Sequence, residues 1–223
     1  TAMALLPEEF PVVLTVFLAL GAWRLSQRRV LTRRTPVIEA LGSATAICVD
    51  KTGTLTLNRM TVRELVVDGA RHVLDDGPLP ETFHALAEYG VLASPVNPFD
   101  PVDRAFKEAG VSHLAGTEHL HPGWELVREY PLSEALLALS HVWRSPDGGD
   151  YVVAAKGAPE AILDLCHVAD DRRRQVMDAV QDAAERGLRV LGVARARFGG
   201  DHPLPTDQHE FVFELLGLAG LVD

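Results

Sequence analysis

Residues 1–23 are apolar apart from Glu8 and Glu9. Wound as an α-helix they reach about 35 Å, enough to cross a hydrocarbon core of roughly 30 Å. Arg24, Arg28, Arg29, Arg33 and Arg34 follow at once. The bias of basic residues toward the cytoplasmic end of a span then puts the rest of the chain on the cytoplasmic side. Charges that follow the apolar run, rather than precede it, argue against a secretory signal. Residues 35–42 read as a connector. Ala44 to Val49 is a short run of β-forming apolar residues, the pattern of a buried parallel strand. Met60 to Val67 alternates and meets Asp68-Gly69, a hairpin signal, with Ala70 to Leu74 as the returning strand. A loop at 75–80 precedes a helical pattern from Glu81 to about Leu92, and Asp100-Pro101 opens another helix. Strand patterns cover Trp124 to Tyr130, Ala135 to Trp143 and, after the turn at 145–150, Tyr151 to Ala155. Arg172 to Arg186 is an amphipathic helix with Val176, Ala179, Val180 and Ala183 inward, closed by Gly187. Gly187 to Leu191 and Phe211 to Val222 read as two further strands.

Composition narrows the class. A hydrophobic content of 47% with 6% aromatics over 223 residues fits a globular α/β protein. The formal charge is −10, and because residues 1–34 are net basic, the remainder carries −13. An acidic body of this kind argues against a nucleic-acid surface. Cys48 and Cys166 are far apart and lack metal-ligand spacing, which makes them reduced, structural cysteines. His113, His119 and His121 fall in a loop with no second ligand cluster nearby in sequence, so a solvated loop is expected there rather than a metal site.

Candidate chemistry begins where the Ala44–Val49 strand should stop. Asp50-Lys51-Thr52-Gly53-Thr54-Leu55-Thr56 puts a carboxylate at a strand's carboxyl end, where open α/β sheets collect ligands. Gly53 lets backbone approach an anion, and the threonine hydroxyls and loop N–H groups suit phosphate oxygens. Asp50 reads as a nucleophile toward a phosphoryl group; a plain solvated turn is the alternative. Within the apolar span, Pro7-Glu8-Glu9-Phe10-Pro11 frees backbone carbonyls beside a carboxylate, an oxygen-donor set suited to a hard cation. A helix end at the membrane interface is the alternative. Lys156 stands at a strand end with Gly157 in the turn and Pro159 in the next helix, placed to pair with phosphates or line a base pocket; a purely structural corner is the alternative.

The string Asp50 to Thr56 matches the DKTGTLT phosphorylation signature, and the chain resembles the P-type ATPases over nearly its whole length. The resemblance implies a partial haloacid-dehalogenase-like (Rossmann-like) phosphorylation domain carrying an inserted α/β nucleotide-binding domain, preceded by a transmembrane helix. On that pattern residues 1–27 are the membrane helix, 28–60 the first part of the phosphorylation domain, 61–208 the nucleotide-binding domain and 209–223 the return into the phosphorylation domain. Glu8 takes the ion-ligand place of a PEGLP-type helix break. Asp103 takes the acid of a DPxE-type motif near adenine, or is an ordinary helix-opening acid. Lys156 and Gly157 belong to a KGAPE string, and Arg189 to a GLRVL strand whose arginine approaches phosphates. The aromatic that usually stacks on adenine is replaced by Leu132, leaving Tyr130 or Leu132 as substitutes.

The resemblance further implies ATP and Mg²⁺ as ligands, Asp50 as phosphoryl acceptor, the Thr52 backbone carbonyl with Asp50 on Mg²⁺, and Lys51 and Thr54 on phosphate. Thr52 also stands where soluble phosphatases of the same superfamily resemble a DxD pattern, and a hydroxyl lacks the proton chemistry of that second acid. The function implied is ATP-driven cation transport in a membrane, the cation being Ca²⁺ or another hard ion; an inactive nucleotide-binding fragment and a soluble phosphatase are the alternatives. The family's remaining Mg²⁺-binding acids, actuator domain and other membrane helices fall outside these residues. The polypeptide alone is therefore expected to bind nucleotide without appreciable turnover.

Overall fold

The computed structural model describes residues 9–30, 36–50, 53–75 and 77–223. It divides into two compact units, Thr1–Lys51 and Thr52–Asp223. In the first, α1 (Glu9–Gln27) and α2 (Pro36–Ser43) approach at Gly21, where an added Cβ would lie 3.2 Å from Ile38 Cγ2. No residue of α1 is buried, and Phe10, Val13, Phe17, Leu20 and Trp23 are all exposed. A helix apolar all round is a core helix or a membrane span, and α1 is long and apolar enough for the latter. Its hydroxyl at Thr15 donates back to the Pro11 carbonyl at 2.7 Å, which satisfies it without solvent.

The expected strand at Ala44–Val49 does not form. Residues 46–50 have no regular structure and are exposed, Ile47 at 80%. A strand is stable only beside partners that complete its hydrogen-bond ladder, and the described residues of this unit contain no other strand.

The second unit is built on a seven-stranded sheet of order β2-β1-β7-β6-β5-β4-β3, antiparallel throughout. Its strands are β1 (Thr61–Val67), β2 (Ala70–Val73), β3 (Glu125–Tyr130), β4 (Ala138–Arg144), β5 (Tyr151–Gly157), β6 (Arg189–Phe198) and β7 (Glu214–Val222). The β1–β2 hairpin turns on Asp68 and Gly69 with φ of 50° and 80°, the left-handed pair a two-residue turn requires. Side chains alternate across β5, so Ala154 joins one core while Val153 and Ala155 join the other. Helices α3 (His84–Leu92) and α4 (Pro101–His113) cover the first face through Leu86 and Phe106. The opposite face is covered by α5 (Pro159–Leu165) through Ile162 and Leu165, and by α6 (Asp170–Glu185) through Val176.

Two features of this sheet bear on the expected organisation. The sheet is mixed with helices but holds no parallel pair among the described residues. The C-terminal strand, expected to leave for another domain, lies inside this sheet between β1 and β6. Small residues explain its place: Gly217, Ala219 and Gly220 let β1 and β6 close on either side, and Gly217 sits at φ 149° against the Val66 carbonyl. Glu64 of β1 is 1% exposed and accepts from Arg71 and Arg186 at 2.6 Å each, so the buried carboxylate is fully paired.

Candidate functional site

One end of the sheet gathers the chemistry. There β3 ends at Tyr130, β4 begins at Ala138, β5 ends in Lys156-Gly157 and β6 begins at Arg189, with Ala138 opposite Gly157 and Gly157 opposite Gly192. Over the face of that end that α3 and α4 cover lies the start of α4. Asp100 caps this helix, its Oδ1 accepting from the Val102 N–H at 2.8 Å, and Pro101 occupies the first turn. The cap aims Asp103 at β5.

Lys156 and Asp103 meet at 2.5 Å although 53 residues separate them. The Lys156 side chain is 4% exposed and that of Asp103 14%. The ammonium also donates to the Ser94 hydroxyl and lies over the Phe106 ring, 4.8 Å from its centroid. Ser94 in turn donates to the Gly90 carbonyl at 3.0 Å, which fixes its lone pairs toward the lysine. Burial pushes the Lys156 pKa down, and Asp103 pulls it back by charge and hydrogen bond. The group is thus a closed, charged floor rather than a free arm. Gly157 is required by contact: an added Cβ would meet the Leu137 carbonyl oxygen and the backbone of Ala138.

Arg189 stands exposed at the same sheet end, one strand beyond β5, opposite Leu221. On the loop between β3 and β4, Leu132 and Leu137 are more than half exposed. Tyr130 is not available as a base platform. Its hydroxyl donates to the Pro205 carbonyl at 2.5 Å and its ring packs edge-on against Phe211 in the opposite core. Leu132 and Leu137 therefore remain as exposed apolar surface of that loop. A separate groove between α6 and the β1–β7 pair is lined by Val66, Arg172 and Leu218, and by none of the predicted site residues.

Asp50 is exposed and irregular at the end of the first unit, and Thr54 lies in a turn in the second. That turn carries Gly53 at φ 75°, whose N–H reaches the Thr56 hydroxyl at 3.4 Å. Glu8, Lys51 and Thr52 lie outside the described residues.

Sequence reading missed Ser94, Phe106 and His141. His141 of β4 donates from Nδ1 to the Leu92 carbonyl at 3.2 Å, a carbonyl it shares with the Trp143 indole at 2.8 Å. Burial lowers its pKa and Lys156 adds to this, while Glu129, the Leu92 carbonyl and Asp103 oppose it. The folded state resists a proton that the unfolded histidine accepts below about pH 6.5. The contribution of His141 to stability is therefore complete above that value and is lost as pH drops toward the folded pKa. The urea midpoint of the parent relative to His141→Gln, measured from pH 8 to pH 5, should fall as the pH drops.

A model of the P-type ATPase cytoplasmic domain N matches residues 100–223. The chain is 33% identical to a probable cation-transporting ATPase F of Mycobacterium tuberculosis, and equally to that of Mycobacterium bovis, over 257 aligned positions covering 99% of this chain and 28% of the relative. It is 29% identical to the cation-transporting ATPase pma1 of Synechocystis, over 100% of this chain and 29% of that protein. The chain thus spans less than a third of the length of the curated relatives it matches. The domain match covers more than half of the sequence and ends on the interior strand β7, and on that match the chain belongs to the P-type ATPase family.

Proposed function

We propose that the chain serves ATP-driven cation transport through an aspartyl-phosphate. The observation that carries this reading is the buried Asp103–Lys156 contact, which joins two distant nucleotide motifs at one sheet end. Asp103, Lys156 and Gly157 form the floor against which the base rests, with Leu132 as its apolar neighbour. Arg189, exposed beside them, takes the phosphates.

An Asp50 carboxylate oxygen then attacks the γ-phosphorus. The bond to the β–γ bridging oxygen breaks and ADP departs, leaving the acyl phosphate on Asp50. Lys51 and Thr54 steady the phosphoryl oxygens. The exposed carboxylate of Asp50 is a hard oxygen donor of the kind Mg²⁺ prefers, and the Thr52 carbonyl is a second. Bound there, the ion supplies charge neutralisation at the transferring group. In this reading residues around Asp50 belong to a haloacid-dehalogenase-like phosphorylation domain. The helix α1 spans a membrane with Arg24, Arg28 and Arg29 at its cytoplasmic end, and Glu8 offers a ligand to a hard cation such as Ca²⁺.

Calorimetric titration of the detergent-solubilised chain with ATP and with adenosine tests the binding half. Arg189→Ala should weaken ATP about tenfold, the scale of one charged hydrogen bond, and leave adenosine unchanged. Equal ATP affinity in Arg189→Ala and the parent would remove Arg189 from the site. Acid-stable label from γ-labelled ATP, in a polypeptide extended by the rest of a pump, should vanish in Asp50→Asn.

A further inference from the structure

At the opposite end of α3 from Ser94, five polar side chains meet that the nucleotide reading does not use. Glu81 lies in the 3-10 turn Glu81–Phe83, His84 opens α3, and Glu88 follows one turn later. His119 and His121 reach them from the loop before β3, 31 residues beyond Glu88 in the case of His119. The solvated loop expected from sequence is therefore docked, with both histidine side chains less than a fifth exposed.

Hydrogen bonding fixes which ring nitrogens carry protons. His84 Nε2 lies 2.8 Å from the Leu79 carbonyl, which only accepts, so Nε2 is the protonated nitrogen. His119 Nδ1 lies 2.6 Å from Glu88 Oε2, a carboxylate oxygen that likewise accepts. In neutral rings the lone pairs are then on His84 Nδ1 and His119 Nε2, and both face Glu81, at 3.0 and 3.6 Å. His84 Nδ1 is closed off from solvent, and despite the nearness of Glu81 Oε2 it makes no hydrogen bond among the described residues. Two nitrogen lone pairs and a carboxylate thus converge, one donor atom from each within 4.8 Å of the others.

We propose that Glu81, His84 and His119 bind a zinc-class divalent cation. Two imidazoles and one carboxylate suit Zn²⁺ and its neighbours and not Mg²⁺ or Ca²⁺, which take all-oxygen sets. Tetrahedral Zn²⁺ needs donors about 3.3 Å apart, and the Glu81 side chain, 81% exposed, is free to swing that distance. Water completes the set from the open side. Glu88 supplies the outer carboxylate that such histidines carry. Its other oxygen holds His121 at 2.7 Å, and His121 stacks on Trp124 with centroids 3.8 Å apart, so its orientation is set from two sides. The ion would staple the loop before β3 to the first turn of α3. This site is independent of the ATP reading.

Zn²⁺ is titrated into the metal-free full chain in detergent against a chromophoric chelator. One equivalent should bind at micromolar affinity or tighter, unaffected by millimolar Mg²⁺. His84→Gln and His119→Gln should each weaken it at least tenfold, and Glu88→Gln by about 10- to 100-fold through loss of the outer hydrogen bond. His113→Gln, a histidine outside the cluster, should leave it unchanged. Co²⁺ should give the visible absorption of a four-coordinate ion in the parent and lose it in His119→Gln, a loop position that keeps the test decisive if His84→Gln fails to fold. Absence of binding, or affinity unaltered by both substitutions, overturns the site.

Discussion

Asp103→Ala should destabilise the second unit by about 3–5 kcal/mol, because it leaves the Lys156 ammonium buried with its counter-charge removed. The remaining neighbours do not compensate. The Ser94 hydroxyl is a single neutral acceptor, and the Phe106 face offers only a cation–π contact at 4.8 Å. Water has little access to a side chain 4% exposed. The lysine is left to shed its proton or drag β5 toward solvent, and either disturbs the Ala138–Gly157 register beside it. Replacing both partners, as Lys156→Met with Asp103→Leu, should recover most of the loss, since the cost lies in the orphaned charge rather than in the absence of a bond. Urea unfolding followed by far-ultraviolet circular dichroism measures both. A single variant within about 1 kcal/mol of the parent would mean that the pair is not shut away from water.

Gly157→Ala comes second, at about 3 kcal/mol, the upper part of the range for an added methyl in a packed site. The new Cβ would press on the Leu137 carbonyl oxygen and on Ala138, and both obstacles are held. The same carbonyl accepts the Ala158 N–H at 2.8 Å, and Ala138 is the ladder partner of Gly157 itself. Relief therefore means prying β4 from β5 at the end that carries Lys156, so nucleotide affinity should fall with stability. Gly149→Ala is the matched control: its added carbon meets nothing within 4 Å, and the change should stay within about 0.5 kcal/mol. Equal unfolding midpoints for the two variants would contradict the close approach at Gly157.

The local elements were legible because their signals are local. Asp68-Gly69 makes its turn from two residues, Asp100-Pro101 opens α4 with its own side chain, and Lys156 ends β5 where strand gives way to Gly and Pro. Partnerships across the chain were not legible. Nothing in the spacing announces that Asp103 reaches Lys156, or that Glu88 turns two loop histidines inward, since each contact waits on the packing of α3 and α4 against the sheet. His119 looked solitary because its neighbours in space lie on α3 and the turn before it. The run Ala44–Val49 misled for the converse reason: apolar β-formers describe a strand only when other strands flank them, and composition is silent about company. β7 was legible as a strand, but its pairing with β1 and β6 was not, because an apolar run with small residues does not say which sheet receives it.

The strand order also sets a timetable for synthesis. From β3 to β7 every strand pairs with the one made just before it, so that meander can zip up from nearby contacts as it emerges. The hairpin of β1 and β2, although translated first, has no interior partner until β7 appears, with Thr61 opposite Val222. Val62 and Leu65 can be covered early by Leu86 and Phe106, but the backbone edge of β1 that β7 completes stays unpaired through the making of nearly the whole unit, an open ladder available to other chains during that interval.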